Sequence, residues 1–171
     1  MKVEIGCGNK RIDDTWATVD VMPGDNVDYA VDWIEGLPFE DNSVARIYTC
    51  HTLEHIWWYQ VGNVLKEAYR VLIPTGYIEI VVPNFRLVVD SYLGKTCGDS
   101  WRKYNEEGSY MKWVNGRIFA YGNLENHHKT VFDREFLELS LRNAGFKRVI
   151  PDCSILTPSH GPIDLRMTAW K

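Results

Sequence analysis

The sequence predicts an α/β fold, and two stretches predict it most directly. Residues 44 to 50 (VARIYTC) form an apolar, strand-like run. A helical stripe of Val61, Val64, Leu65, Ala68 and Leu72 follows, and Tyr77 to Val82 (YIEIVV) is a second such run that stops at Pro83. Strand, helix, strand implies a parallel unit, because parallel neighbours need a crossover between them. In the second half Asp133 stands where a helix N-cap belongs, Phe136, Leu137, Ser140, Leu141 and Ala144 share one stripe, and Gly145 supplies the stop.

The other elements follow in chain order. Met1 to Ile5 is a short apolar run ending at Gly6-Cys7-Gly8, and Trp16 to Val21 is a second that ends beside Asp20; both read as buried strands. Val27 to Val31 is a fainter third pattern. Only MPGDN separates it from the second strand, so it is reached by an extended link or is not a regular parallel strand. The helix is predicted from Glu54 to Leu72, closed by Pro74-Thr75-Gly76. Asn84 to Lys129 is irregular and aromatic-rich (Tyr92, Trp101, Tyr104, Tyr110, Trp113, Phe119, Tyr121), too long for a connector, and reads as an insertion covering a site. Lys147 to Ile150 and Leu165 to Trp170 read as a terminal strand pair, joined by a loop with Pro151, Pro158, Gly161 and Pro162.

Composition bounds what such a domain does. At 171 residues, 45% hydrophobic and 25% charged, the chain reads as one soluble domain over residues 1 to 171 with mass enough for a single core. A formal net charge of −4 and a pI near 5.7 give no general attraction to nucleic acid or acidic lipid, and Lys and Arg form no basic run. No apolar run approaches the roughly 18 residues of a membrane span. MKVEIGCG lacks the apolar core and cleavage site of a signal peptide. Cys7, Cys50, Cys97 and Cys153 are scattered with no C-x-x-C pair, which reads as reduced thiols in a cytosol. The expectations are a cytoplasmic protein with neither a membrane nor a nucleic-acid partner.

VEIGCGNK, then VD at 19 to 20, then LPFEDNSVARIYTCHTLEH, then LKEAYRVLIPTGYIEIVVPN, resemble the class I S-adenosylmethionine-dependent methyltransferases, in particular the type-eleven methyltransferase domain. The resemblance covers roughly residues 3 to 84, with a looser match through His128, Phe132, the helix from Asp133 and Ala144-Gly145-Phe146. It implies a Rossmann-like sheet, mostly parallel with an antiparallel C-terminal strand, and S-adenosylmethionine as cofactor. The N-terminal helices of such a domain are trimmed, the one between the first two strands to NKRIDDTW, which leaves residues 84 to 129 as the lid or substrate-side insertion. Carried over residue by residue, the resemblance implies that Glu4 is the acid near the methionine amino end and that Gly6, Cys7 and Gly8 form the close-approach turn. It puts Asp20 at the ribose hydroxyls, Asp32 at the adenine amino group, and Cys50 and His51 at the methionine end, with Val21, Trp33 and Leu53 also among the cofactor-binding residues. Elementary chemistry agrees. Glycines let a backbone come close to a ligand, and carboxylates suit a cationic sulfonium. A dinucleotide fingerprint needs glycine at position 11, where Arg11 stands, which disfavours NAD.

His51-Thr52-Leu53-Glu54-His55 also matches the H-x-x-E-H pattern of zinc peptidases. That pattern needs both histidines inside one helix, whereas His51 closes a strand, and the sequence identifies neither a third ligand nor an orienting shell. No metal is expected. Glu54 then opens the helix, where its charge favours the dipole, and His55 lies on the first turn. Methyl transfer to oxygen or nitrogen is an in-line displacement in which alignment is the enzyme's main contribution, and a hydroxyl acceptor adds a use for a general base. His51 and His128 are the catalytic candidates, with His127 beside them. Cys50-His51 stands where the resemblance would require an acidic or amide-Pro-Pro-aromatic motif for methylating base amino groups. A small-molecule, sugar or glycan acceptor is the expectation. The rival readings are a catalytically silent binding module of the same fold, an NAD-binding oxidoreductase and a zinc hydrolase.

Overall fold

A computed structural model describes residues 1–95, 109–120, 127–151 and 163–171. Cys97, Trp101, Tyr104, Tyr121, Cys153, Pro158, Gly161 and Pro162, singled out above, lie outside the described residues. The strands are β1 (Lys2–Ile5), β2 (Ala17–Asp20), β3 (Tyr29–Ala30), β4 (Val44–Cys50), β5 (Leu72–Pro83), β6 (Arg148–Pro151) and β7 (Asp164–Trp170). They form one sheet in the order β3-β2-β1-β4-β5-β7-β6. The first five pair in parallel, and β7 runs antiparallel to both β5 and β6. The mostly parallel sheet with an antiparallel C-terminal strand is the architecture the sequence predicts.

Among the described residues four helices accompany it: α1 (Val61–Val71), α2 (Phe85–Gly94), α3 (Tyr110–Phe119) and α4 (Arg134–Ala144). α1 buries Val61, Val64, Leu65, Ala68 and Val71, and α4 beside it buries Leu137, Leu141 and Ala144. Each buried valine or leucine contributes about 1.5–3 kcal/mol, so these two stripes fasten their helices to the sheet. α4 starts where predicted, with the Asp133 carboxylate accepting from the Phe136 N–H at 2.8 Å, and stops at Gly145 in the left-handed region.

Three expectations are corrected. The helix expected from Glu54 begins at Val61; Leu53–His55 makes a single 3-10 turn and Ile56 is extended. Tertiary bonds take the groups a helix would use. The Glu54 carbonyl accepts from the Lys129 N–H at 2.7 Å and the Thr130 N–H at 3.1 Å, and the Ile56 carbonyl accepts the Thr130 hydroxyl at 2.5 Å. β5 begins at Leu72 and runs through Pro74-Thr75-Gly76, with a register shift against β4 between Val44 and Arg46 that absorbs the proline. Within Asn84 to Lys129 the described residues form α2 and α3, packed on each other through Val88 and Trp113, where the sequence shows only irregular aromatic spacing.

The third strand is reached by the extended link. β3 pairs in parallel with β2 over only Val19↔Tyr29 and Asp20↔Ala30, and side chains hold the link. Asp28 accepts from the Thr18 N–H at 2.9 Å, the Thr18 hydroxyl donates to the Asn26 carbonyl at 2.6 Å, and Arg11 pairs with Asp28 at 3.0 Å. NKRIDDTW makes turns and no helix.

Candidate functional site

The carboxyl ends of β3, β2, β1 and β4 lie side by side, at the edge where open α/β sheets take their ligands. After β1 the chain turns at Gly6 (φ +78), whose N–H donates to the Val19 carbonyl at 2.8 Å. A Cβ at Gly6 would stand 1.9 Å from Thr52 Oγ1, so the loop after β4 passes too close for any side chain. Gly8 (φ +56) has nothing within 4 Å of the place its Cβ would take, and open space faces it. Asp20 ties the edge together: Oδ2 accepts from the Gly8 N–H at 2.9 Å and Oδ1 from the Met22 N–H at 3.0 Å. Beside that carboxylate Val21 and Met22 are 61% and 65% exposed, apolar surface left open at a strand end.

The remaining candidates divide into exposed groups and braces. Asp32 caps the 3-10 turn Trp33–Glu35 by accepting from the Ile34 N–H at 2.9 Å. The side chains of Trp33 and Leu53 are buried in the core, so only their backbone reaches the edge. Glu4 is buried and accepts from the Ile12 N–H at 2.8 Å; it braces the NKRIDDTW loop from beneath, and burial raises its pKa. Burial also raises the Cys7 thiol and pushes Cys50 up to about 12, so neither is a thiolate nucleophile at neutral pH.

β4 leads into a knot of imidazoles around one carboxylate. His51 adopts φ 53, a left-handed conformation that a bulky side chain keeps only where its surroundings hold it. Its Nδ1–H donates to Glu54 Oε1 at 3.0 Å, and its Nε2 lies 3.5 Å from Asp164 Oδ1. Burial alone would lower its pKa; the Asp164 and Glu54 carboxylates outweigh burial and raise it to about 9, which makes it an imidazolium at neutral pH. Glu54 is 1% exposed, and its Oε2 has no hydrogen-bond partner among the described residues. It therefore faces histidines and not a helix dipole, a further correction to the sequence reading. His55 sits on the 3-10 turn and not on α1, with Nδ1 3.2 Å from the His127 carbonyl and its ring edge-on to His128 at 5.0 Å. His128 places Nδ1 3.2 Å from the Arg117 carbonyl and Nε2 4.0 Å from Glu54 Oε1; burial lowers its pKa, keeping it neutral. It also lines a cleft with Pro83, Phe85, Arg117 and Thr130, where β5 ends against α2 and α3.

Sequence reasoning placed His51 and His128 in one site but missed two members of it. Glu54 carried a signal, a carboxylate set between two histidines. Asp164 carried none, since nothing local ties the start of β7 to the end of β4.

The comparisons with known proteins bear on this edge directly. The family described as a methyltransferase domain matches residues 3–80, which run from β1 into β5. The match takes in nearly half of the chain, and the fold as a whole is that of solved S-adenosylmethionine-dependent methyltransferases. A methyltransferase from Archaeoglobus fulgidus, described as SAM-dependent, superposes with a TM-score of 0.62 at 18% identity, over 99% of this chain and 85% of that one. A SAM-dependent methyltransferase from Thermotoga maritima, described as a possible histamine N-methyltransferase, gives 0.58 at 22% identity, over 99% of this chain and 81% of that one. The Burkholderia thailandensis 1,6-didemethyltoxoflavin-N1-methyltransferase, solved with 1,6-didemethyltoxoflavin and S-adenosylhomocysteine bound, gives 0.61 at 19% identity, over 99% of this chain and 70% of that one. At these identities the likeness establishes the fold. No curated protein sequence matches the chain. Among its described residues no helix is long and apolar enough to cross a membrane.

Proposed function

We propose that this protein is a methyltransferase that moves the methyl group of S-adenosylmethionine to an oxygen or nitrogen of a small-molecule, sugar or glycan acceptor. One observation carries the reading: Gly6-Cys7-Gly8, Asp20, Asp32 and Cys50-His51 stand at the carboxyl ends of four neighbouring strands in the order β1, β2, β3 and β4. The residues fit the cofactor. Open space over Gly8 admits a ligand against the backbone, Val21 and Met22 offer exposed apolar surface to a base, and Asp20 and Asp32 supply acceptors for hydroxyl and amino hydrogens. Glu4, Cys7, Trp33 and Leu53 shape that cradle from below and through their backbone. When bound, S-adenosylmethionine supplies an electrophilic methyl on a sulfonium sulfur.

On the acceptor side, His51 is a positioning residue. Held by Glu54 and Asp164, it is already protonated at neutral pH and takes no further proton. His128, neutral and on the cleft wall, is the side chain that acts on an acceptor hydroxyl. Of residues 84 to 129, α2 and α3 line that cleft through Phe85, Val88, Arg117 and Ile118. Exposed Trp57, Trp58 and Tyr59, immediately after the turn, present the broad aromatic faces that mark a binding surface and suit the apolar face of a sugar ring. The free thiols Cys7 and Cys50 fit a reducing cytosol.

Calorimetric titration tests the cofactor assignment, with S-adenosylhomocysteine and NAD as the two probes. S-adenosylhomocysteine should bind at one site and raise the melting temperature, because it binds the folded state alone, whereas NAD should do neither. Flat heats and unshifted melting with S-adenosylhomocysteine would reduce the chain to a silent module of the same fold.

A further inference from the structure

We propose that Glu54, His55 and His128 form a binding site for one divalent transition cation of the zinc class. One candidate ligand atom from each side chain lies within 4.8 Å of the other two. Two imidazoles and one carboxylate are a donor set that holds zinc while leaving further coordination positions open. Ligand atoms bonded to one ion at about 2.0–2.1 Å stand roughly 3–3.5 Å apart, so closing the site takes about 1 Å of side-chain rotation.

The hydrogen bonds around the three groups argue for a ligand more strongly than their proximity does. A backbone carbonyl only accepts, so the His55 Nδ1 facing the His127 carbonyl and the His128 Nδ1 facing the Arg117 carbonyl must each carry the proton. An imidazole so held is, in its neutral form, the tautomer whose Nε2 bears a lone pair, and no hydrogen bond among the described residues reaches either Nε2. His51 performs the same service for Glu54, donating Nδ1–H to Oε1. Each of the three groups is thus oriented by a partner behind it, as metal ligands are. Glu54 is 1% exposed, yet its Oε2 has no hydrogen-bond partner among the described residues. Oε1 takes the His51 N–H and lies 4.0 Å from His128 Nε2, which leaves Oε2 desolvated and unanswered, and a cation bound by the Glu54 carboxylate and the two lone pairs would answer it. The frame is built in advance: the Lys129 and Thr130 N–H groups on the Glu54 carbonyl, and the Thr130 hydroxyl on the Ile56 carbonyl, staple the His128 segment to the Glu54–His55 turn.

This set differs from the H-x-x-E-H reading of the same string. His51 supports the carboxylate and is not a ligand, and the third ligand comes from His128, which the string does not contain. The inference also departs from the expectation of no metal, which rested on that missing ligand. A cation here would lower the pKa of an acceptor hydroxyl entering the cleft beside His128; with its Nε2 on the metal His128 would hold the cation and not act as base, and the hydroxyl proton would pass to solvent water. That placement rests on the methyl-transfer reading; the binding of the cation does not.

The test is zinc titration of the full chain after chelator treatment, with metal content of the untreated protein measured alongside. One equivalent should bind, and His55→Ala, His128→Ala and the isosteric Glu54→Gln should each weaken binding at least tenfold. His127→Ala, which keeps the backbone carbonyl, should leave affinity within about twofold. Cobalt substituted for zinc should give a visible d–d spectrum that the same three variants lose. His55 and His128 are partly exposed, so their truncation is tolerated by the fold, and a melting curve of each metal-free variant checks this. No stoichiometric zinc on the wild type, or wild-type affinity in both histidine variants, overturns the proposal. S-adenosylhomocysteine titrated into the metal-free chain separates the two readings: its binding without zinc binding sinks only the cation site, and zinc binding without it sinks only methyl transfer.

Discussion

Two clusters of charged side chains sit at opposite ends of the sheet, and one is closed where the other is open. At the start of β4 and β5, Arg70 donates to Glu67 at 2.6 Å and to Asp41 at 2.6 Å, while Glu67 also accepts from the Leu37 N–H at 2.8 Å. The Lys171 ammonium there donates to the Leu72 carbonyl and to Asn42 Oδ1, each at 2.8 Å. Cations and carboxylates answer one another. At the carboxyl end of β4, Glu54, His55 and His128 are just as firmly oriented, but their orienting bonds come from behind, and the buried Glu54 Oε2 has no hydrogen-bond partner among the described residues. The difference separates two uses of charge on one scaffold: a network that satisfies itself steadies the fold, and one that leaves a buried acceptor unanswered keeps a place for a ligand.

The largest effect expected at the open end is structural. Gly6→Ala combines a left-handed φ with a Cβ 1.9 Å from Thr52 Oγ1, and should cost about 2–4 kcal/mol in urea unfolding. An unchanged unfolding midpoint would show that the β1 and β4 loops are not in close contact. Next comes Asp20→Ala, expected to weaken S-adenosylhomocysteine by about 1–3 kcal/mol without unfolding the domain, as ribose hydroxyls lose charge-assisted bonds. Equal calorimetric affinity would reduce Asp20 to a loop tie for Gly8 and Met22. The smallest effect belongs to the closed end. Arg70 holds the Glu67 carboxyl below its usual range, so its stabilisation is present above the unfolded pKa of about 4.3 and is lost as pH falls through the folded value. Glu67→Gln should therefore be less stable than wild type at pH 7 by about 1 kcal/mol, with the two unfolding curves converging below about pH 4. A gap that persists in acid would mean that Glu67 acts through packing and not charge.

The parts legible in the sequence were those whose causes are local. The β-branched runs of β4 and β5, the glycine turn after β1, and the Asp133 cap with its Gly145 stop are each decided within a few residues. The start of α1 was not legible, because the decisive bonds on the Glu54 and Ile56 carbonyls come from Lys129 and Thr130. The candidate site suffers the same limit. HTLEH shows two histidines and a carboxylate, and which histidine turns toward which neighbour is settled by His128 and Asp164, brought in by the return of the chain along β5, α3 and β7.

The position of β7 carries a consequence for how the chain is made. It follows β6 in sequence, yet it lies between β5 and β6, paired on both sides, with Met167 and Ala169 fully buried. A polypeptide emerging from the ribosome N-terminus first therefore holds β5 with one edge unpaired and the core uncovered until β7 has been synthesised. Closure must wait for a strand made some eighty residues after β5. In that interval the open β5 edge is a template for pairing with other chains, so the nascent protein is at its most aggregation-prone just before β7 arrives.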